Sequence, residues 1–205
     1  MTVDEGYIKY AIDWTPGPAP DVEAARELDT WRRPLFAAGL IGEYADLGIG
    51  FGNISQRCGE HFLISGTQTG HLAATDERHY ALVTRADIEA NTVSCTGPVK
   101  ASSEAMTHAA IYELNAGIGA VVHIHSKELW TRYLNELPTT NPAVGYGTPE
   151  MAREFVRLYV ECGFDETGIA VMAGHEEGLI SYGPSLPVAA TRMLTLAHPG
   201  APAPG

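Results

Sequence analysis

The stretch Gly119–Trp130, GAVVHIHSKELW, places two histidines two positions apart, directly after a run of small and β-branched apolar residues. A short apolar run of this kind predicts a buried β-strand. Successive side chains of a strand point to opposite faces, so residues two apart share a face. The stretch therefore predicts a buried strand that directs the imidazoles of His123 and His125 toward the same place.

Paired imidazoles of this kind have two interpretations. Neutral imidazole is the commonest transition-metal ligand, and a catalytic zinc takes about three protein ligands and keeps one position open. A buried histidine can equally be a hydrogen-bonded core residue. The best candidate for a third ligand is His175, because it lies in AVMAGHEEG at the end of another apolar run and beside glycines.

The other histidines are weaker candidates. His61, His71 and His79 lie in polar segments that predict exposed loops, and His198 lies in the C-terminal tail. His108 is four residues after Glu104 on one predicted helix, so the two share a helix face. A contact of His108 with a ligand residue and a plain packing role both remain open.

The segment before the histidine strand supplies a carboxylate. SSEAMTHAAIYELN has the apolar spacing of an amphipathic helix, with Ser102 or Ser103 as the expected N-cap. Glu104 then lies in the first turn, where the helix dipole favours a negative charge. A helix that leads directly into a strand normally packs against it, so we expect Glu104 about one side-chain length from the histidine pair.

Glycine-rich turns predict an anion pocket near this helix end. GFGNISQR and LISGTQTG combine glycines with hydroxyl and amide side chains, and clustered backbone N–H groups of such turns can hold an anion without lysine. KASSE adds the N–H groups of a helix N-terminus. GTQTG is not a P-loop, because it lacks the lysine and the following helix. We expect a phosphate or carboxylate pocket beside Glu104.

Length and composition predict one domain of 205 residues with an ordinary apolar core, since 45% of the residues are hydrophobic and 19% are charged. The net charge of −12 argues against nucleic acid and anionic membranes as partners. Without a leader-like or membrane-spanning apolar run, we expect a cytoplasmic protein with reduced cysteines. Prolines predict a loosely ordered arm at residues 1–20, and a similar tail is expected at 198–205.

Helices are also expected at 21–40, with an interruption at Pro34, at 148–163 and at 185–198. Short strands are expected around 53–55, 61–65 and 79–97. This mixture indicates a layered α/β or α+β domain.

Five segments, over roughly residues 30–195, resemble the class II aldolase/adducin family in sequence and order: GNISQR, FLISGTQTG, KASSEAMTHAAIYELNAGIGAVVHIHS, YGTPEMA and GHEEGLISYG. The resemblance implies a three-layer α/β/α sandwich with a mixed, mostly antiparallel central sheet, usually assembled as a homotetramer. It implies a site for Zn²⁺, or for Mn²⁺ or Co²⁺, with the ligands His123, His125, His175 and Glu104. It implies a phosphate-binding set made of Asn53, Thr67, Gly70, Ser102 and Ser103.

The activity that the resemblance implies is that of a metal-dependent carbon–carbon lyase. Its substrate would be a small phosphorylated ketose or a related hydroxy-carbonyl compound, cleaved through a metal-stabilised enediolate with Glu104 as general acid/base. Related alternatives are an epimerase, a dehydratase and a hydroxy- or keto-acid decarboxylase, and glutamate at position 104 favours the aldolase or the dehydratase over the epimerase. A non-catalytic, adducin-like interaction module is the alternative from another class.

The sequence departs from the family pattern in several places. The segment after His125 is short, so neither Tyr133 nor Tyr146 can be assigned as the tyrosine that protonates the product. GHEEG stands where the family has NHG, and SGTQTG stands where it has a TPSG-like turn. The C-terminal tail carries no tyrosine to cover a site. These departures affect the substrate rather than the fold or the metal.

Overall fold

The computed structural model describes residues 7–199. Its strands are β1 (Ala11–Pro16), β2 (Gly42–Tyr44), β3 (Ile49–Phe51), β4 (Asn53–Cys58), β5 (His61–Ser65), β6 (Tyr80–Asp87), β7 (Thr92–Gly97), β8 (Ala120–His125), β9 (Ile169–Val171) and β10 (Gly178–Gly183). Its α-helices are α1 (Val22–Ala37), α2 (Ala105–Leu114), α3 (Lys127–Tyr133), α4 (Pro149–Glu161), α5 (Phe164–Thr167) and α6 (Leu186–Ala197).

Eight strands form one sheet in the order β1-β7-β6-β5-β4-β8-β10-β9, and β2 pairs with β3 in a separate two-stranded sheet. β1 and β7 run parallel, whereas the other neighbouring strands of the large sheet run antiparallel. β8, the strand with the two histidines, lies between β4 and β10 inside the sheet.

Helices cover both faces of the large sheet. One apolar cluster joins the sheet to α2, α4 and α5, and a second joins the opposite face to α1, α3 and α6. β8 contributes to both, because Val121 packs in the first cluster and Val122 in the second. The prediction of a three-layer α/β/α sandwich with a mostly antiparallel sheet is therefore confirmed.

Residues 1–6 of the arm predicted at 1–20 lie outside the described residues. For residues 11–16 the prediction of a loose arm is wrong, because they form the edge strand β1. Its register with β7 runs from Ala11 beside Thr92 to Pro16 beside Gly97. Ile12 and Trp14 pack against the core, and the Trp14 indole N–H donates to the carbonyl of Gly97 at 3.1 Å. Proline is tolerated at a sheet edge, where no neighbour needs its N–H, so the prolines did not exclude a strand.

The helix predictions hold with small shifts in their ends. α1 continues through Pro34 rather than stopping there. The Thr148 hydroxyl accepts from the N–H of Met151 at the start of α4, and Gly163 follows the helix with φ 76°. Of the predicted tail at 198–205, residues 200–205 lie outside the described residues. Between residues 7 and 199, no helix is both long enough and apolar enough to cross a membrane.

The entry to β8 leaves no room for a side chain at Gly119. A Cβ there would lie 2.2 Å from the carbonyl oxygen of Pro184, whereas a Cβ at the nearby Gly117 would come no closer than 3.2 Å to the Asn115 side chain. We expect Gly119→Ala to lower the free energy of unfolding by about 1–3 kcal/mol, because overpacking must displace the chain after β10. Urea unfolding measures this. Gly117→Ala is the control, with an expected change within about 0.5 kcal/mol, and equal effects would contradict the prediction.

Candidate metal centre and anion pocket

Three histidines converge at the end of β8. The Nε2 of His125 lies 3.1 Å from the Nε2 of His123 and 2.8 Å from the Nε2 of His175. The possible ligand atoms of the three residues all lie within 4.8 Å of one another, and all three side chains are buried. β8 supplies the first two from one face, and the turn between β9 and β10 supplies His175. The structure thus brings the predicted triad together.

The outer nitrogens of these rings face other partners. The Nδ1–H of His123 donates to the carbonyl of Leu179 at 3.0 Å, and the Nδ1 of His125 lies 3.0 Å from the Tyr44 hydroxyl. The Nδ1 of His175 lies 3.8 Å from a carboxylate oxygen of Glu104. Protonation at Nδ1 leaves the lone pair on Nε2, the arrangement that second-layer partners normally impose on metal-bound histidine.

Burial keeps the imidazoles of His123 and His125 neutral. It is the largest cause that lowers the pKa of His123 and of His125 well below 6.5, and the nearby His175 lowers both further. Neutral rings with converging Nε2 lone pairs repel one another unless a proton or a cation lies between them. Tetrahedral Zn–N bonds of about 2.0–2.1 Å place nitrogens about 3.3 Å apart, close to the separations seen here. The three residues therefore fit a divalent transition metal.

Glu104 is buried beside this cluster, at the N-terminus of α2. The prediction that Ser102 or Ser103 caps the helix is wrong: the N-cap is Glu104 itself, and the helix begins at Ala105. The Ser102 hydroxyl accepts from the N–H of Glu104 at 3.3 Å, because the two serines form the turn before the helix. Glu104 faces the Nδ1 side of His175, so its predicted roles as acid/base and as a fourth ligand remain predictions.

His108 belongs to the protein core rather than to the triad. Its Nδ1 lies 2.7 Å from the Ser55 hydroxyl, which lies 2.8 Å from the Tyr112 hydroxyl. Burial lowers the pKa of His108 from 6.5 to about 3. The ring is therefore neutral and hydrogen-bonded between β4 and α2.

All five residues predicted to bind phosphate line one small pocket, together with the glycines around β3 and the turn after β5. These five residues are Asn53, Thr67, Gly70, Ser102 and Ser103. An isolated bridge between Gly66 and Ala101 joins the two turns, and the N–H of Ser102 donates to the carbonyl of Ser65 at 3.1 Å. Phosphate binding itself remains a prediction.

Asn53 connects the pocket to the triad. It lies directly opposite His123 in the β4–β8 register. Its side chain is buried, and its Oδ1 has no hydrogen-bond partner among residues 7–199. The pocket therefore adjoins the histidine triad across one pair of neighbouring strands, β4 and β8.

Gly70 has a packing reason to lack a side chain. A Cβ there would lie 2.2 Å from the carbonyl oxygen of Gly42 and 2.9 Å from the Cα of Gly50. The turn after β5 is thus pressed against the β2–β3 sheet, which the sequence did not predict. This close approach also places β2 next to the site.

A buried arginine, which the sequence reasoning missed, holds the back of the pocket. Arg32 on α1 is only 1% exposed, and its guanidinium donates to the carbonyls of Leu72, Thr69 and Gly70 at 2.5, 2.9 and 3.1 Å. Burial lowers the pKa of Arg32 below its usual range, yet arginine stays charged. Within the described chain, the pocket lining contains neither lysine nor arginine, so this cation behind the turn supplies local positive charge.

The two tyrosines left open by the sequence lie in different places. Tyr146 is buried with its ring centroid 4.3 Å from that of His175, whereas Tyr133, at the end of α3, lines a surface groove beside Ile169 and Val188. Tyr44, at the end of β2, contacts His125 and is a site residue that the sequence patterns did not indicate. Its only sequence signal is a position shortly before the glycine-rich turn.

Comparison with protein families agrees with this geometry. Residues 45–198 match the family described as the Class II Aldolase and Adducin N-terminal domain. No curated protein matches the chain.

Solved structures share the fold at low sequence identity. YgbL from Klebsiella pneumoniae, whose candidate activities are aldolase, epimerase and decarboxylase, is 19% identical with a TM-score of 0.65, over 85% of each chain. The L-fuculose-1-phosphate aldolase from Thermus thermophilus is 23% identical with a TM-score of 0.61, over 85% of this chain and 89% of its own. A sugar-phosphate aldolase from Thermotoga maritima is 20% identical with a TM-score of 0.65, over 85% and 90%.

The buried guanidinium predicts a stability effect. Arg32→Met leaves carbonyls of the turn at residues 69–72 without their donors, and we expect the free energy of unfolding to fall by about 1–3 kcal/mol. Urea unfolding measures this. Arg26→Met is the matched control on the same helix, because Arg26 is exposed and pairs with the exposed Glu23. A loss no larger than in the control would show that the guanidinium does not hold the turn.

His108 predicts a pH dependence of stability. Its pKa is about 3 in the folded protein against 6.5 ordinarily, so the unfolded chain binds the extra proton below pH 6.5. Stability from His108 therefore falls as the pH drops from 6.5 toward 3, by about 1.4 kcal/mol per pH unit. Urea unfolding of the metal-free proteins between pH 6.5 and 3 measures this. The free energy of unfolding should depend less steeply on pH in His108→Gln than in wild type. The exposed His71→Gln is the control, and equal slopes for wild type and His108→Gln would refute the assignment.

Proposed function

The chain belongs to the class II aldolase and adducin family, and on this basis we propose that it is a divalent-metal-dependent lyase of the aldolase type. The proposed substrate is a small phosphorylated ketose or a related hydroxy-carbonyl compound. The observation that carries the proposal is the convergence of the His123, His125 and His175 Nε2 atoms in a buried cluster. A non-catalytic interaction module has no evident use for such a cluster.

The three histidines would hold the metal, with Zn²⁺ as the first choice and Mn²⁺ or Co²⁺ as alternatives. When bound, the ion supplies Lewis-acid stabilisation of the negative charge that develops on the oxygens of a hydroxy-carbonyl substrate. Burial keeps the rings of His123 and His125 neutral. The Nδ1 atoms of both rings face other partners. The protein thus contributes the orientation of the ligand rings and their burial away from water.

Glu104 is proposed to move the proton. Its buried carboxylate lies beside His175 at the end of α2 that opens toward the anion pocket. General acid/base catalysis needs such a group close to the reacting atoms, and it contributes about 10²–10⁴-fold to a rate. The turn of Ser102 and Ser103 holds the backbone of Glu104 in place through the 3.3 Å hydrogen bond to its N–H.

The anion pocket is proposed to bind the phosphate or another anionic end of the substrate. Asn53 and Ser102 contribute side-chain groups, and Thr67 and Gly70 contribute the turn after β5. The charge of Arg32 behind that turn favours an anion although the chain as a whole carries −12. Assembly as a homotetramer, which is expected from the family, and a cytoplasmic location, which is expected from the sequence composition, also belong to the proposal.

Two variants test the metal and the proton separately. We expect wild-type protein to bind about one equivalent of Zn²⁺, and His123→Ala to lose this binding because a buried ligand is removed. Glu104→Gln should retain the metal but lose about 10²–10⁴-fold in turnover. Elemental analysis and steady-state kinetics measure the two effects, with the exposed His198→Ala as the control. Wild type without stoichiometric metal, together with an unaffected His123→Ala variant, would end the proposal.

The reaction itself is decided by the product. Incubation with a panel of ketose phosphates should release an aldehyde, detected by a coupled reduction. Release of carbon dioxide, loss of water or inversion of a carbinol centre would instead identify a decarboxylase, a dehydratase or an epimerase, and would replace the aldolase assignment. Metal binding without turnover of any of these substrates would favour the interaction module.

A further inference from the structure

Two glutamates stand between the third candidate ligand and the start of β10. Glu176 is exposed, whereas Glu177 is half-buried and adopts φ 70°, a left-handed backbone conformation that favours glycine. The backbone around it is well tied: its carbonyl accepts from the N–H of Ser126, and the N–H of Gly178 donates to the carbonyl of His175, both at 2.9 Å. Because glycine would fit this backbone conformation better, the glutamate side chain is expected to have a specific role.

The carboxylate of Glu177 accepts a hydrogen bond from a tyrosine that contacts the histidine cluster. The Tyr44 hydroxyl donates to the Oε2 of Glu177 at 2.8 Å and lies 3.0 Å from the Nδ1 of His125. The Tyr44 ring is held by Phe51 of β3, with centroids 4.7 Å apart, and meets the His125 ring edge-on at 6.2 Å. The three side chains therefore form a continuous hydrogen-bonded line from carboxylate to imidazole.

The direction of the hydrogens along this line follows from the donors. A phenol carries one hydrogen, and the Tyr44 hydrogen goes to Glu177. The Tyr44 oxygen can then only accept from His125, which requires the hydrogen of that ring to be on Nδ1. The Nε2 of His125 is left with its lone pair, directed toward His123 and His175.

We propose that Glu177 is a positioning residue that, through Tyr44, fixes the tautomer and the ring orientation of the metal ligand His125. The inference rests on the proposed metal-dependent function. It assigns the line Glu177–Tyr44–His125 the role that a carboxylate or a backbone carbonyl usually has behind a metal-bound histidine. The ring of His123 is oriented more directly, by one hydrogen bond from its Nδ1–H to the carbonyl of Leu179.

Metal affinity is the quantity that tests the line. Glu177→Gly removes the carboxylate while suiting the φ of 70°, and Tyr44→Phe removes the hydroxyl while keeping the ring. Each variant should bind Zn²⁺ about 10–100-fold more weakly, measured by competition with a chromophoric chelator. Visible spectra of the Co²⁺ forms should change as well. Glu176→Gly is the matched control from the same turn, and its affinity should equal that of wild type.

Thermal unfolding of the metal-free proteins distinguishes an effect of the variants on folding from an effect on metal binding. Because glycine relieves the strained φ, metal-free Glu177→Gly should unfold at or above the wild-type temperature even though its metal affinity falls. The double variant, Glu177→Gly with Tyr44→Phe, should lose no more Zn²⁺ affinity than whichever single variant binds Zn²⁺ more weakly. Both changes interrupt the same line of hydrogen bonds, so their effects should not add. Additive losses would show two separate routes and overturn the inference.

The outcomes also distinguish the two proposals. Wild type that binds no divalent metal would overturn the proposed function and the inference together. Wild type that binds metal, with Glu177→Gly and Tyr44→Phe as tight as Glu176→Gly, would overturn the inference and leave the proposed function in place.

Discussion

The burial of two imidazoles on β8 is the constraint on which the rest of the site depends. His123 and His125 are 0% and 3% exposed in the interior of an eight-stranded sheet. Buried polar groups are costly unless they have partners, so the neighbouring elements must supply them. The carbonyl of Leu179 on β10 and the hydroxyl of Tyr44 on β2 serve the outer nitrogens, and the inner nitrogens face one another. Supplying partners to two buried histidines thus produces an arrangement of imidazoles that fits a cation.

A buried positive charge lies behind the proposed anion pocket, although the protein as a whole is acidic. The net charge of −12 is distributed over the chain, and electrostatic interactions between exposed charges are screened within about 10 Å. Arg32 is buried, so its charge is screened less, and it lies directly behind the turn of Thr69 and Gly70. The guanidinium also donates three hydrogen bonds to the carbonyls of that turn. One side chain thereby combines structural support with the local electrostatic field.

Sequence patterns predicted the features that depend on periodicity and local chemistry. The period of two in GAVVHIHS placed both histidines on one face, and the cap at Thr148 with glycine at 163 bounded α4. Patterns interrupted by proline or glycine were misread. β1 looked like a loose arm because prolines follow Ile12 and Trp14, and the β2–β3 pair was hidden among glycines. The N-cap of α2 was misplaced because the serines of that turn face the pocket.

The sequence by itself determined the layered fold class, the histidine strand, the third histidine and the residues of the glycine-rich turns, because each of these is a local pattern with a direct physical meaning. Only the tertiary structure decided which distant groups meet. Arg32 lies about forty positions before the carbonyls it binds, and Tyr44 is separated from Glu177 by 133 positions. Such contacts depend on how sheets and helices pack, and no periodicity along the chain encodes the partner of a single side chain.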